Sequence, residues 1–456
     1  MKKKRDYSKD KDCLSWLSTT DRTLSRSALS AIEARVRKEV EILKTLSAKD
    51  RLLYQKKDEL DRWLPTQTQK DLLWVERNIF KIRGKSDFRR MDPELVEVTD
   101  DFELQTLNIW GEPEVTSIKS NDAHSTHWDI LRTLVSTATN DGFVGRRIRY
   151  IVIDKTTKSY LGVICISSAM FRTKAIHEEI GWKAEEVKKR GAKSGKPGLH
   201  NLANGQTIVA VQPFGGALLG GKLLSLLCIS DRVVSDWYRR YGDRLVGVHT
   251  TSLYGTGNNT QYDNLTPYWR RLGETSGEES LRLTPGTYEL VKQWILNKYP
   301  QKYYRLFVEK NEKNMLVTRE SKSEALPFAY KNMGIENTVS KEPRGVYSSM
   351  LYTNSVDFLN ERIGEDQLIP AFDNSVDALT NFWRFGSMGD TTKPTDEIRK
   401  KAKTPDKIRM KIKQKSMVKG RIGGLNAPMK VENEWYLPMK DLTWDEIRVR
   451  YSDQSA

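Results

Sequence analysis

Between Leu29 and Leu64 the apolar residues Leu29, Ile32, Val36, Val40, Leu43, Leu46, Leu53, Leu60 and Leu64 recur at helical spacing, with Lys, Arg and Glu between them. This predicts one or two amphipathic helices ending before Pro65, with capping residues from Ser18 to Asp21 ahead of them. Residues 71–120 are mixed and acidic and read as a connector folded onto the next domain. Trp128, Ile130, Leu131, Leu134 and Val135 give a broad apolar face, predicting a helix over 127–136. The period then changes. Residues 149–154 and 160–166 are β-rich runs joined by a polar link suited to a hairpin. A third run, 207–211, leads into the glycine-rich stretch Gln212–Lys222 and a helix expected from Leu223 to Tyr241. A fourth run, 245–250, precedes a short helix expected around 263–272. Further strands are expected at 303–308 and 345–352, and helices at 354–363 and 376–385. This order predicts an α/β (α+β) fold, a mixed sheet with flanking helices. The expected partition is a basic helical segment over 1–75, the core over 76–300, an α/β extension over 301–390 and a basic tail over 391–456.

Charge directs attention to polyanions. Of 456 residues, 76 are Lys or Arg and 60 Asp or Glu, a formal net charge of +16, which favours nucleic acid through counterion release. DNA is the expected partner. Candidate phosphate contacts are Arg146, Arg147 and Arg149 before the first central strand, where alternation puts Arg147 and Arg149 on one face. Lys193 and Lys196 in a basic loop, Arg270 and Arg271, and Lys411 and Lys413 in the tail join them. A solvated loop and tail is the plainer reading of the lysines. The N-terminal helical face is a candidate surface for a protein partner, or simply packs on the body of the protein. No run approaches the ~18 apolar residues of a membrane span, and Lys2–Arg5 is not followed by an apolar signal core, so a cytoplasmic protein is expected. Cys13, Cys165 and Cys228 are far apart and odd in number, which implies neither a disulfide framework nor a CxxC metal site.

The chemistry concentrates at the turn. A strand that delivers a glycine-rich turn into a helix N-terminus offers backbone N–H groups and the positive end of the helix dipole to phosphate. Gln212-Pro-Phe214-Gly215-Gly216-Ala217 follows the N-acetyltransferase pattern Gln/Arg-x-x-Gly-x-Gly/Ala, giving a mixed sheet of that type with acyl-CoA as the expected cofactor. There the splayed strands on either side of the helix would leave a gap for the pantetheine and acyl group. Gly216 and Gly221-Lys222, with Gly220 between them, also have the spacing of a P-loop, but Leu223 stands where a hydroxyl should reach magnesium. No G-x-G-x-x-G is present. Tight helix-on-sheet packing is the structural alternative. For acyl transfer, His249 at a strand end, and His177 or Glu178 before Ile180-Gly-Trp182, are candidate bases. Trp269 occupies the place of the usual acid tyrosine, leaving Tyr268, Tyr254 and Tyr262 as substitutes. His124 and His127 lack a third ligand, so no metal is expected.

The stretch from Gly145 to Glu274 resembles the DruA-like family, named from the Druantia anti-phage system and also encoded by bacteriophages. The carrying motifs are Gly145-Arg-Arg-Ile-Arg-Tyr150, Tyr160-Leu-Gly-Val-Ile164, Ile180-Gly-Trp182, Gln212-Pro-Phe-Gly215, Leu219-Gly-Gly-Lys222, Tyr241-Gly242, Thr250-Thr-Ser-Leu-Tyr-Gly255 and Tyr268-Trp-Arg-Arg-Leu-Gly273. Arg344-Gly-Val-Tyr347 and Tyr352-Thr-Asn354 look like the downstream part of the phage-encoded versions. Family members often carry an Arg-Asp pair before Ile-Gly-Trp; here Ile176-His-Glu-Glu179 stands in that place. The resemblance implies a DNA-related role in phage–host conflict.

Overall fold

The structure, a computed structural model, describes residues 11–20, 22–81, 90–98, 106–107, 113–114, 123–136, 138–139, 146–170, 173–187, 190, 196–212, 214–252, 260–310, 316–318 and 322–385. Its centre is a seven-stranded mixed sheet with helices on both faces. The strands are β1 (Pro93–Val98), β2 (Arg147–Asp154), β3 (Ser159–Ser168), β4 (Leu202–Ala210), β5 (Gly247–Thr251), β6 (Arg270–Glu274) and β7 (Gly345–Met350), and they lie in the order β1-β2-β3-β4-β5-β7-β6. Every neighbouring pair is antiparallel except β4 with β5.

β2 and β3 are covered on both faces over residues 148–154 and 160–167, which is why their middles read as hydrophobic runs. β1 lies at 93–98, inside the expected connector. Its alternation of buried and half-buried residues fits an edge strand. The expected helix at 263–272 is instead a turn followed by β6, and the expected strand at 303–308 is mostly helical (Pro300–Phe307). Pro300 at the first helical position pre-sets that helix start and outweighs the β propensity of its aromatic residues. The expected single helix over 223–241 is two, Gly220–Leu227 and Asp231–Tyr241, with Ser230 as N-cap of the second. β7, within the expected C-terminal extension, enters the central sheet between β5 and β6.

The N-terminal pattern gives helices Arg26–Thr45 and Ala48–Trp63, capped by Ser25 and Ser47 rather than by residues 18–21. Ile32, Val36, Val40 and Leu43 are buried against Leu283, Val291, Trp294, Ile295 and Tyr330, forming a second core beside the sheet. The apolar face considered for a protein partner is therefore covered by the chain itself. Glu39 fixes the contact: its carboxylate accepts Thr284 N–H at 2.5 Å, the Thr284 hydroxyl at 3.1 Å and the Thr287 hydroxyl. Among the described residues no helix is long and apolar enough to cross a membrane. All three cysteines are buried and none is in a disulfide among the described residues.

Candidate functional site

The parallel pair at the middle of the sheet is short. Leu202, Ala203 and Asn204 of β4 pair with Gly247, Val248 and His249 of β5, and there the ladder ends. A bulge explains the parting. Cys165 of β3 faces Thr207 while Ile166 faces Gly205, so Gln206 is an extra residue that bends β4. Beyond the last pair, Gly205 O accepts the Thr250 hydroxyl at 2.8 Å and Ile208 O accepts the Gln261 side-chain amide at 3.0 Å. The strands diverge, and the 260–263 turn fills the space between them. Tyr262 is buried there beside Trp269 and Tyr347, with ring centroids at 5.2 and 5.0 Å. Tyr347 Oη donates to Asp263 Oδ1 at 2.9 Å.

The glycine-rich turn packs onto this plug. A Cβ on Gly221 would stand 2.8 Å from Gln261 Oε1, and one on Gly220 would enter the ring of Phe214. Lys222 Nζ donates to Asp263 O. The N–H groups of Gly215, Leu218, Lys222 and Leu223 bond to Val211 O, Phe214 O, Leu219 O and Leu219 O. Leu219 is left-handed, with φ of 58°, and its carbonyl accepts the Trp383 indole N–H at 3.1 Å. A Cβ on Gly215 would lie 2.8 Å from Gln212 Nε2. Gly216 and Ala217 lie in a short helix, Phe214–Ala217. The glycines thus let Phe214, Gln212 and Gln261 approach the backbone.

On one face of the sheet, at the point where β4 and β5 part, polar residues align. Arg147, Ser167, Asn204, His249, Ser348 and Arg270 are successive register partners across β2, β3, β4, β5, β7 and β6, so their side chains share that face. The four central residues are buried. The helix Lys174–Ile180 packs on this side against β6. Gly181, with φ of 82°, ends it and turns Trp182 back, Trp182 N bonding to His177 O at 2.8 Å. That is the physical content of Ile180-Gly-Trp182: two apolar anchors around a left-handed cap.

His249 Nε2 accepts the Met170 N–H at 3.2 Å, which puts the ring proton on Nδ1. Burial pushes its imidazole down from 6.5 to about 4. His249 is therefore a neutral donor rather than a base poised near neutrality. His177, also buried, is held below the ordinary histidine value by desolvation, and it lies near enough to His249 to oppose protonation there. The expected base Glu178 points to solvent and pairs with Lys174 at 3.3 Å; its neighbour Glu179 is the buried carboxylate and holds Arg270. The helical phase fixed by the Gly181 cap decides between the two glutamates, and the sequence carried no signal separating them.

Other expected residues lie elsewhere. Tyr268 is a core residue between Phe372 and Phe382, each ring 4.7 Å away. Trp269 is buried and donates to Ser225 O at 2.8 Å. Arg149 is buried under Trp128, 3.7 Å from Asp129, which removes it from phosphate contact. Arg146 pairs with Asp243, Arg271 with Glu274 at 2.9 Å, and Lys196 with Glu361 at 2.9 Å. Tyr254, Lys193, Lys411 and Lys413 lie outside the described residues. No group of three or more metal-ligating side chains occurs among the described residues. Ser167, Asn204, Glu179 and Ser348 were missed by sequence reasoning. For the three strand residues the one signal is a polar residue inside a β run, and only register shows that these positions coincide.

The sheet, the turn and the Ile-Gly-Trp cap all fall within one family match. The profile described as Druantia protein DruA matches residues 82–360, and the chain belongs to the DruA family. It is similar to Druantia protein DruA of Escherichia coli (strain UMEA 4076-1), with 28% identity over 180 residues, covering 36% of this chain and 42% of that protein. The chain thus spans under half the length of that curated relative. No solved structure matches it.

Proposed function

We propose that this DruA-family chain has an acetyltransferase-like core and acts on nucleic acid through the polar row beneath the 174–180 helix. The observation that carries the reading is the position of that row, at the place where β4 and the parallel β5 separate. The hairpin of β2 and β3, β4 feeding a glycine-rich turn and helix, and a splayed β5 support the architecture. Two arginines at the ends of the row and a net charge of +16 support a polyanionic partner.

Acyl-CoA is not part of this proposal, because the residues do not fit it. Gln261 occupies the β4 edge in the gap, Gly221 has no room for a phosphate against Gln261, and Lys222 is held by Asp263 O.

The test is binding of full-length protein to single- and double-stranded DNA by fluorescence anisotropy across a salt series, with mass spectrometry of nucleosides from the incubated DNA. The expected result is affinity that falls log-linearly with salt and a mass change in one nucleoside. No affinity at low salt would sink the reading. The filled gap favours a second reading, a non-catalytic nucleic-acid scaffold, which predicts the same binding with nucleosides unchanged.

A further inference from the structure

Among the buried polar atoms on the row side of the sheet that make no hydrogen bond, three belong to titratable side chains of the row and its helix: His249 Nδ1, His177 Nε2 and Glu179 Oε2. Buried polar groups are nearly always paired, and each orphan costs about 1–3 kcal/mol. Two of the three are on one short helix facing the strand register that carries the third. We infer that these atoms form a binding site for an uncharged hydrogen-bonding edge of alternating donors and acceptors, the kind a nucleobase presents. The inference deepens the nucleic-acid reading above and rests on it for the choice of ligand.

Chemistry selects a neutral edge over a phosphate. His249 offers one N–H, since its other nitrogen is taken by Met170. Glu179 offers an acceptor, and its charge is matched by Arg270. Arg270, the cation beside this carboxylate, is already matched by it, and a phosphate would meet the Glu179 oxygen. An amide or amidine edge instead takes the imidazole proton on an acceptor and gives its own proton to the carboxylate. His177 Nε2 stands as a third contact of either polarity.

The experiment is nitrogen NMR of full-length protein labelled at histidine, titrated separately with adenosine, cytidine, guanosine, thymidine, ribose and inorganic phosphate. At least one nucleoside is expected to move the His249 Nδ1 resonance, while ribose and phosphate do not. His249→Asn places an amide N–H near Nδ1 and is expected to keep nucleoside affinity, whereas His249→Gln and Glu179→Gln lose roughly tenfold or more. The inference is overturned if no nucleoside moves the resonance, if phosphate moves it equally, or if Asn and Gln at 249 lose affinity alike. A crystal structure with nucleoside that shows ordered water alone on these atoms would also overturn it. DNA binding without a nucleoside response would defeat the site and leave the nucleic-acid reading standing. A nucleoside response without DNA binding would do the reverse.

Discussion

Alanine in place of Gly220 distinguishes a packing turn from a phosphate loop. Phe214 is fully buried, in edge contact with Phe80 at 5.7 Å and Trp383 at 6.0 Å. A methyl on Gly220 would enter its ring. The ring cannot retreat without displacing Trp383, whose indole bond to Leu219 O anchors the helix Val376–Phe385. Overpacking of this kind costs about 1–3 kcal/mol, and the loosened hydrogen bond about 1 kcal/mol more. The helical gain of alanine over glycine returns about 0.5–1 kcal/mol, leaving a net loss of about 1–3 kcal/mol. At Gly221 the same methyl would lie 2.8 Å from Gln261 Oε1 and 3.3 Å from its Cβ, a side chain that gives more readily than a ring wedged between two aromatics, so Gly221→Ala should cost less than Gly220→Ala. Urea unfolding of the two variants, followed by tryptophan fluorescence, measures the contrast. Equal stability losses, or an unchanged Gly220→Ala accompanied by lost phosphate or acyl-CoA binding, would refute the packing argument.

Acid should weaken the fold through His249. Its folded value, about 4, lies below the ordinary 6.5, so the unfolded chain takes up the proton first. This contribution is complete above about pH 6.5 and is lost as pH falls toward 4, amounting to about 3 kcal/mol. The difference in pH-dependent stability between wild type and His249→Asn isolates it; a flat difference would contradict the buried neutral ring. Arg270→Ala leaves the Glu179 carboxylate buried without its cation and is expected to cost about 1–3 kcal/mol. The Arg270→Ala/Glu179→Ala double variant should recover most of that in a double-mutant cycle. Glu39→Ala removes the acceptor of three bonds and should cost about 2–3 kcal/mol. Hydrogen exchange should then rise at 26–45 and 285–298 before it rises in β2 and β3. Isothermal titration of full-length protein with acetyl-CoA should show no binding.

The sequence carried whatever depends on near neighbours. Apolar runs placed β2, β3, β5 and β7, helical spacing placed the N-terminal arm, and glycine density placed the turn where β4 ends. Local signals failed where two propensities competed. At 300–307 aromatic residues suggested a strand while Pro300 began a helix, and at 93–98 the acidic residues hid the alternation of an edge strand. Tertiary structure decided what the turn does, because Gln261 and Trp383 reach it from two other segments, Gln261 packing on Gly221 and Trp383 bonding to Leu219 O, while Phe214 within the turn packs on Gly220. It also decided the site. Glu179 rather than Glu178 faces the sheet because a helical phase fixes it, and His249 became a neutral donor because Met170, 79 residues away, takes its other nitrogen. The polar row exists only once the register of six strands is set, including β7 drawn in from far along the chain. Register is a property of pairing between distant segments, and no single segment encodes it.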